Sequence, residues 1–306
     1  MQNKKKILLI ADIPNWIFHR HCIEIQNRLD KFYDFIIIFR DQVNNFKLDF
    51  YDSFNVIYIL DSRLKIPYNL KHKTIIGIRC EFSYEHTYEG ILNYYKQNIE
   101  NRANVFHVVN LNQFNDFKKI AKIPLFFAPH GVDVDYFNPF EYTDIKNIII
   151  GTNGSKKSKG NKGFEIIEKV CKELKLPLIS IYQDFKRGNL NKYQMYLFYN
   201  FINVYINLSE SEGLNNSILE AGAMGKCVIA TNVGNIPELI VNLKNGIITN
   251  RTENSLKNKL LYLLKNKEKI NEFGINLQKE VIKRYSWNRC IKNYKNMFDF
   301  ILRFQK

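Results

Sequence analysis

The sequence is poor in cysteine and has no long apolar run. Its five cysteines are scattered over 306 residues without a Cys-x-x-Cys pair, so we expect neither a disulfide framework nor a zinc site. The longest apolar runs, such as Ile7–Ala11 and Phe35–Phe39, are strand-sized and far shorter than the roughly 20 residues of a membrane-spanning helix. The first residues lead straight into a strand without the pattern of a signal peptide. These absences favour a cytoplasmic protein.

Candidate metal ligands are equally sparse. His19 and His21 lie two residues apart, a spacing at which side chains diverge on a helix. No third ligand type stands near them, whereas a zinc site needs three or four protein ligands. We therefore predict no bound metal.

The net charge is strongly positive, at +15, and most of the excess lies in the second half, much of it after Arg251. Such a balance favours an anionic partner, namely a membrane surface, a nucleic acid or a phosphorylated substrate. A solvated helix face in a lysine-rich sequence explains it equally well. No zinc-finger, helix-turn-helix or aromatic RNA-binding signature is present, which disfavours a nucleic-acid-binding module. Peripheral contact with the inner face of a membrane remains compatible with the charge.

Short β-branched runs alternate with polar or helical segments, which is typical of parallel sheets with crossover helices. The first series of predicted strands is Lys6–Ile10, Phe35–Phe39, Val56–Leu60, Thr74–Ile78 and Val105–Val109. The second series is Asn147–Ile150, Leu178–Ile181, Asn203–Asn207, Cys227–Ala230 and Gly246–Thr249, with helices at Phe164–Leu174, Asn216–Met224 and Ser255–Lys265. Two α/β domains in tandem are the simplest account.

The predicted boundary between these domains falls near Pro139–Lys146, where proline and polar residues interrupt both patterns. The N-terminal domain would span residues 1–140 and the C-terminal domain residues 141–287. After Glu268 the chain has helical periodicity to its last residue. Because open α/β sheets bind ligands at the carboxyl ends of their strands, we expect ligand in a cleft between the domains.

The segment from Phe201 to Ile240 carries the most chemistry. A predicted strand runs into a loop with Ser209, Glu212 and Gly213, which opens a helix containing Glu220. Backbone N–H groups at a helix start can hold phosphate oxygens, and a carboxylate can accept paired hydrogen bonds from vicinal hydroxyls. The segment is therefore suited to a sugar nucleotide.

A second loop, after the strand that ends near Ile150, is rich in glycine and lysine and leads into a helix. Such a loop suits a diphosphate, whose negative charge can be stabilised by lysines, here Lys156, Lys157, Lys159 and Lys162. Gly154 lies in the same loop.

Together these motifs resemble the donor site of GT-B-fold retaining glycosyltransferases, in particular glycosyltransferase family 4. Glu212 and Glu220 match the family's paired glutamates, and Lys162-Gly163 matches one member of the basic pair that stabilises the departing diphosphate. No arginine stands at the other member; Lys156 would take its place, with Lys157 and Lys159 as alternatives. Pro129-His130-Gly131-Val132-Asp133 resembles the family's Pro-Asn-Gly-Val-Asp segment. Asp133-Val-Asp135 also imitates the metal motif of the GT-A fold, which we interpret as coincidence. The donor-binding residues implied are Gly154, Ser209, Gly213, Leu214, Asn215, Asn216, Glu220 and Trp16.

The resemblance implies two Rossmann-like domains facing a central cleft, with a C-terminal helix, about residues 288–306, that crosses back to the first domain. Glu220 would bind the ribose hydroxyls, and Glu212 would lie beside the donor sugar. Gly213, Leu214 and Asn215 would approach the sugar and diphosphate through their backbone.

The N-terminal domain departs from the family in two places. Trp16 stands in the loop after the first strand, where the family often has glycines; it would stack on an acceptor or donor ring or cap the domain core. The family also often places a histidine after the fourth strand, near the reacting sugar. Here that strand ends in Arg79, with His86 several residues later, and either residue is a candidate for that role.

The expected function is metal-independent transfer of a sugar from a UDP- or GDP-linked donor to an acceptor hydroxyl, with retention of configuration and no further cofactor. A glycan or lipid-linked saccharide is the favoured acceptor, as in surface polysaccharide, lipopolysaccharide or glycoconjugate synthesis. The alternatives are a GT-B sugar-nucleotide epimerase and a glycosyltransferase that acts on modified nucleic acid.

Overall fold

The computed structural model describes residues 4–79, 85–139, 147–155, 162–183 and 191–304. The chain forms two compact units, one of Met1–His130 with Trp287–Lys306 and one of Gly131–Ser286. The boundary expected after residue 140 lies outside the described residues, and the units divide after His130. The residues that follow belong to the second unit because Val132 donates its N–H to the carbonyl of Tyr285 at 2.7 Å.

The first unit is built on a parallel six-stranded sheet in the order β2-β1-β3-β4-β5-β6. Its strands are β1 Lys5–Ala11, β2 Tyr33–Phe39, β3 Val56–Ile59, β4 Thr74–Ile78, β5 Val105–Val108 and β6 Leu125–Phe127. Its helices are α1 Ile17–Leu29, α2 Leu48–Asp52, α3 Tyr88–Tyr95, α4 Leu111–Lys118 and the C-terminal helix α11 Trp287–Arg303, with short 3₁₀ turns at Arg40–Gln42 and Lys71–Lys73 and a π-turn at Lys96–Glu100.

The second unit is built on a parallel five-stranded sheet in the order β11-β10-β9-β7-β8. Its strands are β7 Ile150–Ser155, β8 Leu178–Gln183, β9 Val204–Asn207, β10 Cys227–Ala230 and β11 Ile247–Ile248. Its helices are α5 Phe164–Glu173, α6 Lys192–Phe201, α7 Asn216–Ala223, α8 Ile236–Leu239, α9 Glu253–Lys265 and α10 Glu268–Tyr285.

Local sequence explains where many of these helices begin. The N-cap side chains of Thr87, Asn110, Asn191, Asn215 and Thr252 each accept a hydrogen bond from a backbone N–H in the first turn. Such caps satisfy donors that the helix itself leaves without a partner.

Two-sided burial holds each sheet in place, since the strands β3, β4, β5, β9 and β10 are buried along their whole length. On one face of the first sheet, the C-terminal helix α11 packs Tyr294, Met297, Phe298 and Ile301 into a core shared with β1 and β3. The C-terminal helix therefore belongs to the first unit, although its sequence follows the second. None of the helices in the described ranges is both long and apolar enough to cross a membrane.

The predicted fold class is confirmed, because both units are parallel α/β sheets. Most predicted strands are confirmed to within a residue or two, but the position predicted for β7 was wrong. We predicted Asn147–Ile150, whereas the strand starts at Ile150 and includes Gly154. The polar, glycine-rich stretch is a strand because it pairs with β8 along its whole length and with β9 at its start. Gly151 fits there because a Cβ would lie 2.5 Å from Ile202. The short strand β6 was not predicted.

Both sheets follow the same winding. In each, the first strand in sequence has the second strand on one side and the third on the other. The connections that follow the first and the third strand therefore leave the sheet in opposite directions. Doubly wound sheets bind ligands at the carboxyl ends of two such strands. In the second unit this switch point lies between β7 and β9.

Replacing Gly274 with alanine should destabilise the second unit. The new Cβ on α10 would lie 2.0 Å from the carbonyl oxygen of Gly225 at the end of α7. Alanine favours a helix over glycine by about 1 kcal/mol, but forcing two backbones apart costs about 1–3 kcal/mol or more, so the loss prevails. Thermal melts should show the midpoint falling by about 2–4 °C for each kcal/mol lost. The exposed Lys279→Ala on the same helix should melt like the wild type; equal midpoints for all three proteins would contradict this packing.

Candidate functional site

The loop after β9, Leu208–Asn215, which we call the β9 loop, starts at the switch point of the second sheet. Its Ser209 is fully buried and donates its N–H to Oδ1 of Asn207 at 3.2 Å. The Ser209 hydroxyl donates to Oε1 of Glu212 at 2.7 Å. Arg251 donates from Nε to the carbonyl of Leu208 at 2.9 Å. The start of the β9 loop is therefore held through both the backbone and the side chain of Ser209.

Lys162, which stands just before α5, reaches the same glutamate. Its Nζ forms an ion pair with Oε1 of Glu212, and side-chain exposure is 19% for Lys162 and 13% for Glu212. Gly154 makes room for the lysine stem, since a Cβ there would lie 3.1 Å from Cγ of Lys162. Gly163, in the left-handed region at φ 69°, lets α5 begin close to the β9 loop, because its Cβ would lie 2.7 Å from Cβ of Leu208.

This pair can hold a polar ligand without rearranging. A carboxylate has about four acceptor positions and an ammonium three donors, so the contacts between Lys162, Ser209 and Glu212 do not exhaust either group. One positive and one negative side chain thus stand together, mostly shielded from water, where electrostatic interactions are stronger than in bulk solvent.

Glu220 is the second buried carboxylate of the site, at 5% exposure on α7. Its Oε2 accepts a hydrogen bond from the hydroxyl of Tyr199 at 3.0 Å. Burial first, and then the charge of Glu220, raise the pKa of Tyr199 well above its ordinary value. The phenol therefore stays protonated and remains a donor to the carboxylate.

The start of α7 is held by two asparagines. Asn215 caps the helix, since its Oδ1 accepts the N–H of Ile218 at 3.1 Å. The backbone N–H of Asn215 donates to Oδ1 of Asn235 at 3.1 Å. This backbone group, which we predicted to face the diphosphate, is thus already committed to a protein partner.

The loop after β10, Thr231–Asn235, which we call the β10 loop, lies directly against the β9 loop. Thr231 donates from Oγ1 to the carbonyl of Ser209 at 2.5 Å. Gly234 has φ 59°, and a Cβ on it would lie 2.7 Å from the carbonyl oxygen of Gly213 and 2.9 Å from Cβ of Glu212. The two loops approach so closely that only glycine fits at this position.

The structure brings most of the predicted site residues together at the carboxyl edge of the second sheet. These are Gly154, Lys162, Ser209, Glu212, Gly213, Leu214, Asn215, Asn216 and Glu220. Lys156, with its alternatives Lys157 and Lys159, lies outside the described residues. Sequence reasoning missed Tyr199, which stands in an aromatic helix that resembles core, and Asn235, which stands outside the two loops that carried the predicted site.

Arg79 is placed in the interior of the first unit, at 6% exposure. Its Nη1 donates to Nδ1 of His21 at 3.0 Å and of His130 at 3.2 Å. Its Nη2 donates to the hydroxyls of Tyr58 at 3.1 Å and of Tyr294 at 3.3 Å. The two terminal nitrogens therefore link α1, β3, the C-terminal helix and the segment after β6 that contains His130. A catalytic role for Arg79 stays a prediction.

His86 and Trp16, the other predicted residues of the first unit, occupy different surroundings. His86 is exposed and pairs through Nδ1 with Asp116 at 3.5 Å. Trp16 is half-buried at the N-cap of α1, where its side chain makes no capping hydrogen bond. Their contact with a substrate stays a prediction. Asp133 of the metal-like Asp-x-Asp pair binds Lys192 at 2.5 Å, and no cluster of three or more metal-ligand side chains occurs within the described ranges.

The hydrogen bonds of Arg79 continue to a buried histidine. The hydroxyl of Tyr58, which accepts from Arg79, also shares a hydrogen bond with Nε2 of His107, 2.7 Å away. Gly77 leaves the space for this ring, since a Cβ there would lie 2.6 Å from Nε2. Burial, reinforced by the charge of Arg79, lowers the pKa of His107 from 6.5 to about 3.

The second unit matches a known protein family. Residues 138–280 match the model of the family described as Glycosyl transferases group 1, so the chain carries a domain of this type. An uncharacterised glycosyltransferase of Methanocaldococcus jannaschii, MJ1178, is 35% identical over 92 residues, which is 30% of this chain and 26% of that protein. A second from the same organism, MJ1069, is 26% identical over 98 residues, or 31% of this chain and 25% of its own length. The chain thus spans about a quarter of the length of the curated relatives it matches.

Solved structures match the whole chain and show the GT-B fold of glycosyltransferases. A glycosyltransferase from Rickettsia africae superposes with a TM-score of 0.72 at 17% identity, covering 98% of this chain and 99% of the other. Sucrose-phosphate synthase from Thermosynechococcus elongatus gives 0.71 at 13% identity, with 98% and 100% covered. HepE from Anabaena, in complex with UDP and glucose, gives 0.72 at 12% identity, with 96% and 99% covered.

The free energy of unfolding should fall as the pH drops below about 6.5, because of His107. In the unfolded chain this histidine takes up a proton near pH 6.5, whereas the folded state resists protonation until the pH approaches about 3. Acid therefore favours the unfolded state across this interval, and this one side chain should cost about 3 kcal/mol by pH 4. Urea unfolding at a series of pH values measures the slope.

The matched comparison is between two histidine variants. His107→Gln should flatten the slope between pH 6.5 and 4, whatever its stability at pH 7. The exposed His72→Gln should leave the slope as in the wild type. An unchanged slope in His107→Gln would show that this histidine does not resist protonation.

Proposed function

We propose that the protein is a glycosyltransferase whose second unit binds a nucleoside-diphosphate sugar at the switch point between β7 and β9. The observation that carries this proposal is the cluster of Glu212, Lys162 and Ser209 after β9, followed by α7 with its buried Glu220, at the edge where a doubly wound sheet binds nucleotides. The match of residues 138–280 to Glycosyl transferases group 1 supports it.

The proposed reaction is a substitution at the anomeric carbon. The bond between that carbon and the diphosphate oxygen breaks, and its electron pair leaves with the nucleoside diphosphate. The acceptor hydroxyl oxygen forms the new bond on the same face, so that configuration is retained, and its proton passes to the departing diphosphate oxygen. The step needs charge stabilisation and orientation rather than a protein nucleophile.

Each site residue has a role in this proposal. Lys162 supplies positive charge to the leaving diphosphate, and Glu212 accepts hydrogen bonds from hydroxyls of the transferred sugar. Glu220, oriented by Tyr199, accepts the paired hydroxyls of the ribose. The first turn of α7 offers backbone N–H groups to the phosphates. Since Asn215 gives its N–H to Asn235, this contribution comes from its neighbours.

We propose a UDP- or GDP-linked donor, bound without metal or further cofactor, and a glycan or lipid-linked saccharide as acceptor. HepE, which shares the fold, has been crystallised with UDP, with UDP and glucose, and with UDP-glucose, which supports the uridine nucleotide first. Surface polysaccharide, lipopolysaccharide or glycoconjugate synthesis would use such a transfer.

A thermal-shift screen tests the donor assignment. The protein is melted with UDP, GDP, ADP, CMP and their common sugar conjugates, with and without EDTA. A ligand that binds only the folded state raises the melting temperature, so we expect a shift with one nucleoside diphosphate that EDTA does not remove. No shift with any of them would contradict the proposal. Conversion of the sugar nucleotide to an isomer without acceptor would favour the epimerase alternative.

The two carboxylates should fail in different ways when neutralised. Glu220→Gln should weaken nucleotide binding by about 10- to 100-fold, the equivalent of one or two charge-assisted hydrogen bonds. Glu212→Gln should leave nucleotide affinity close to wild type and lower kcat, because it contacts the sugar. Titration calorimetry and initial rates separate the two effects.

Glu210 offers a matched control, because it lies on the same β9 loop with 61% side-chain exposure and pairs with Arg251 at 2.8 Å. Glu210→Gln should bind and turn over like the wild type. Wild-type behaviour of both Glu220→Gln and Glu212→Gln would refute the site.

A further inference from the structure

Asn235 ends the β10 loop and is fully buried. Its side-chain Oδ1 accepts the backbone N–H of Asn215 at 3.1 Å, and its backbone carbonyl accepts the N–H of Leu239 at 3.1 Å in α8. Asn235 therefore links the end of the β9 loop to α8, the helix that begins directly after the β10 loop.

A second buried asparagine shows what a purely structural role looks like. Asn245, at 5% exposure, uses both ends of its amide: Oδ1 accepts from Val241 N at 2.7 Å, and Nδ2 donates to Leu239 O at 3.0 Å. In contrast, Nδ2 of Asn235 and Nδ2 of Asn215 make no hydrogen bond within the described part of the chain. Each of these two asparagines therefore buries an amide donor without an acceptor, which is unfavourable.

The segment that Asn235 holds is the one that carries Glu212. Thr231 holds Ser209 at one end of the β9 loop, and Asn235 holds Asn215 at the other. Between them, Gly234 packs on Glu212 itself. Asn215 in turn fixes the first turn of α7 through its cap on Ile218. One side-chain oxygen thus sets the position of both the loop and the start of the helix.

We propose that Asn235 is a positioning residue for the sugar-nucleotide donor, acting through the backbone N–H of Asn215. The role toward a sugar-nucleotide donor rests on the proposed function, whereas the hydrogen bond between Asn235 and Asn215 does not. Without the Oδ1 acceptor, the β9 loop and the first turn of α7 sample more conformations. Binding must then order them, which lowers affinity.

Hydrogen–deuterium exchange of the ligand-free protein tests the contact directly. In Asn235→Ala, the peptide that contains Asn215 should exchange at least about tenfold faster, because the amide loses its acceptor. Asn235→Asp keeps an oxygen at the same position and should restore protection. Asn245→Ala is the matched control: it loses two hydrogen bonds at a buried asparagine of the same unit but should leave this peptide unchanged. Wild-type exchange in Asn235→Ala would overturn the proposal.

Measuring donor affinity then tests whether the contact between Asn235 and Asn215 matters for donor binding. Asn235→Ala should bind the nucleoside diphosphate found in the thermal-shift screen about tenfold more weakly than the wild type, the equivalent of one hydrogen bond. Asn245→Ala should bind it normally even if its melting temperature falls. Asn235→Ser is measured alongside, because its shorter side chain loses the same contact yet keeps a polar atom in the buried position.

The outcomes separate the two claims. Faster exchange together with weaker binding in Asn235→Ala supports the proposal, and faster exchange with unchanged affinity overturns the positioning role. If the wild type itself binds none of the nucleotides, the proposed function fails and the role toward a donor fails with it. The exchange result still reports on the contact between Asn235 and Asn215 in that case.

Discussion

The close approach of the β9 and β10 loops is the constraint on which the site depends. At Gly234 the two backbones are so near that a single Cβ would lie within 3 Å of both Glu212 and Gly213. The positive φ of Gly234 turns the β10 loop against its neighbour, which a residue with a side chain would resist. Because Ser209 and Asn215 are hydrogen-bonded to the same loop, Glu212 projects from a segment fixed at its beginning, middle and end.

These contacts explain how the opposite charges of Lys162 and Glu212 are kept in fixed positions in a mostly buried site. Lys162 stands just before α5 and Glu212 on the β9 loop, and the close approach of Gly163 to Leu208 holds the start of α5 against that loop. Glu220 is oriented by Tyr199, whose hydroxyl remains a donor because burial and the carboxylate oppose its ionisation. A site whose dipoles are already oriented need not reorganise when charge develops on a leaving group.

Sequence patterns predicted the helices and strands that have strong local signals. They did not predict the elements and site residues that depend on tertiary contacts. The buried strands of the first sheet and the helices after Gly163 and Asn215 follow from apolar runs and caps. The strand β7 did not, because its glycines and polar residues form a strand only through pairing with β8 and β9. The two glutamates and Lys162 of the site were named from the resemblance to glycosyltransferase motifs. The partners Tyr199 and Asn235 were not, since their hydrogen bonds to Glu220 and Asn215 join separate elements, 21 and 20 residues apart in the chain.

Arg79 shows why a motif position alone does not assign a catalytic role. All the acceptors of its terminal nitrogens come from separate elements of the first unit, namely His21, His130, Tyr58 and Tyr294. Removing the guanidinium would leave these polar groups buried together without their shared donor, which is costly in a low-dielectric interior. One of them, His130, is the last residue of the first unit before the chain enters the second. Activity lost in an Arg79 variant would therefore follow from disordered packing as readily as from chemistry, and only a structural readout such as amide exchange distinguishes the two.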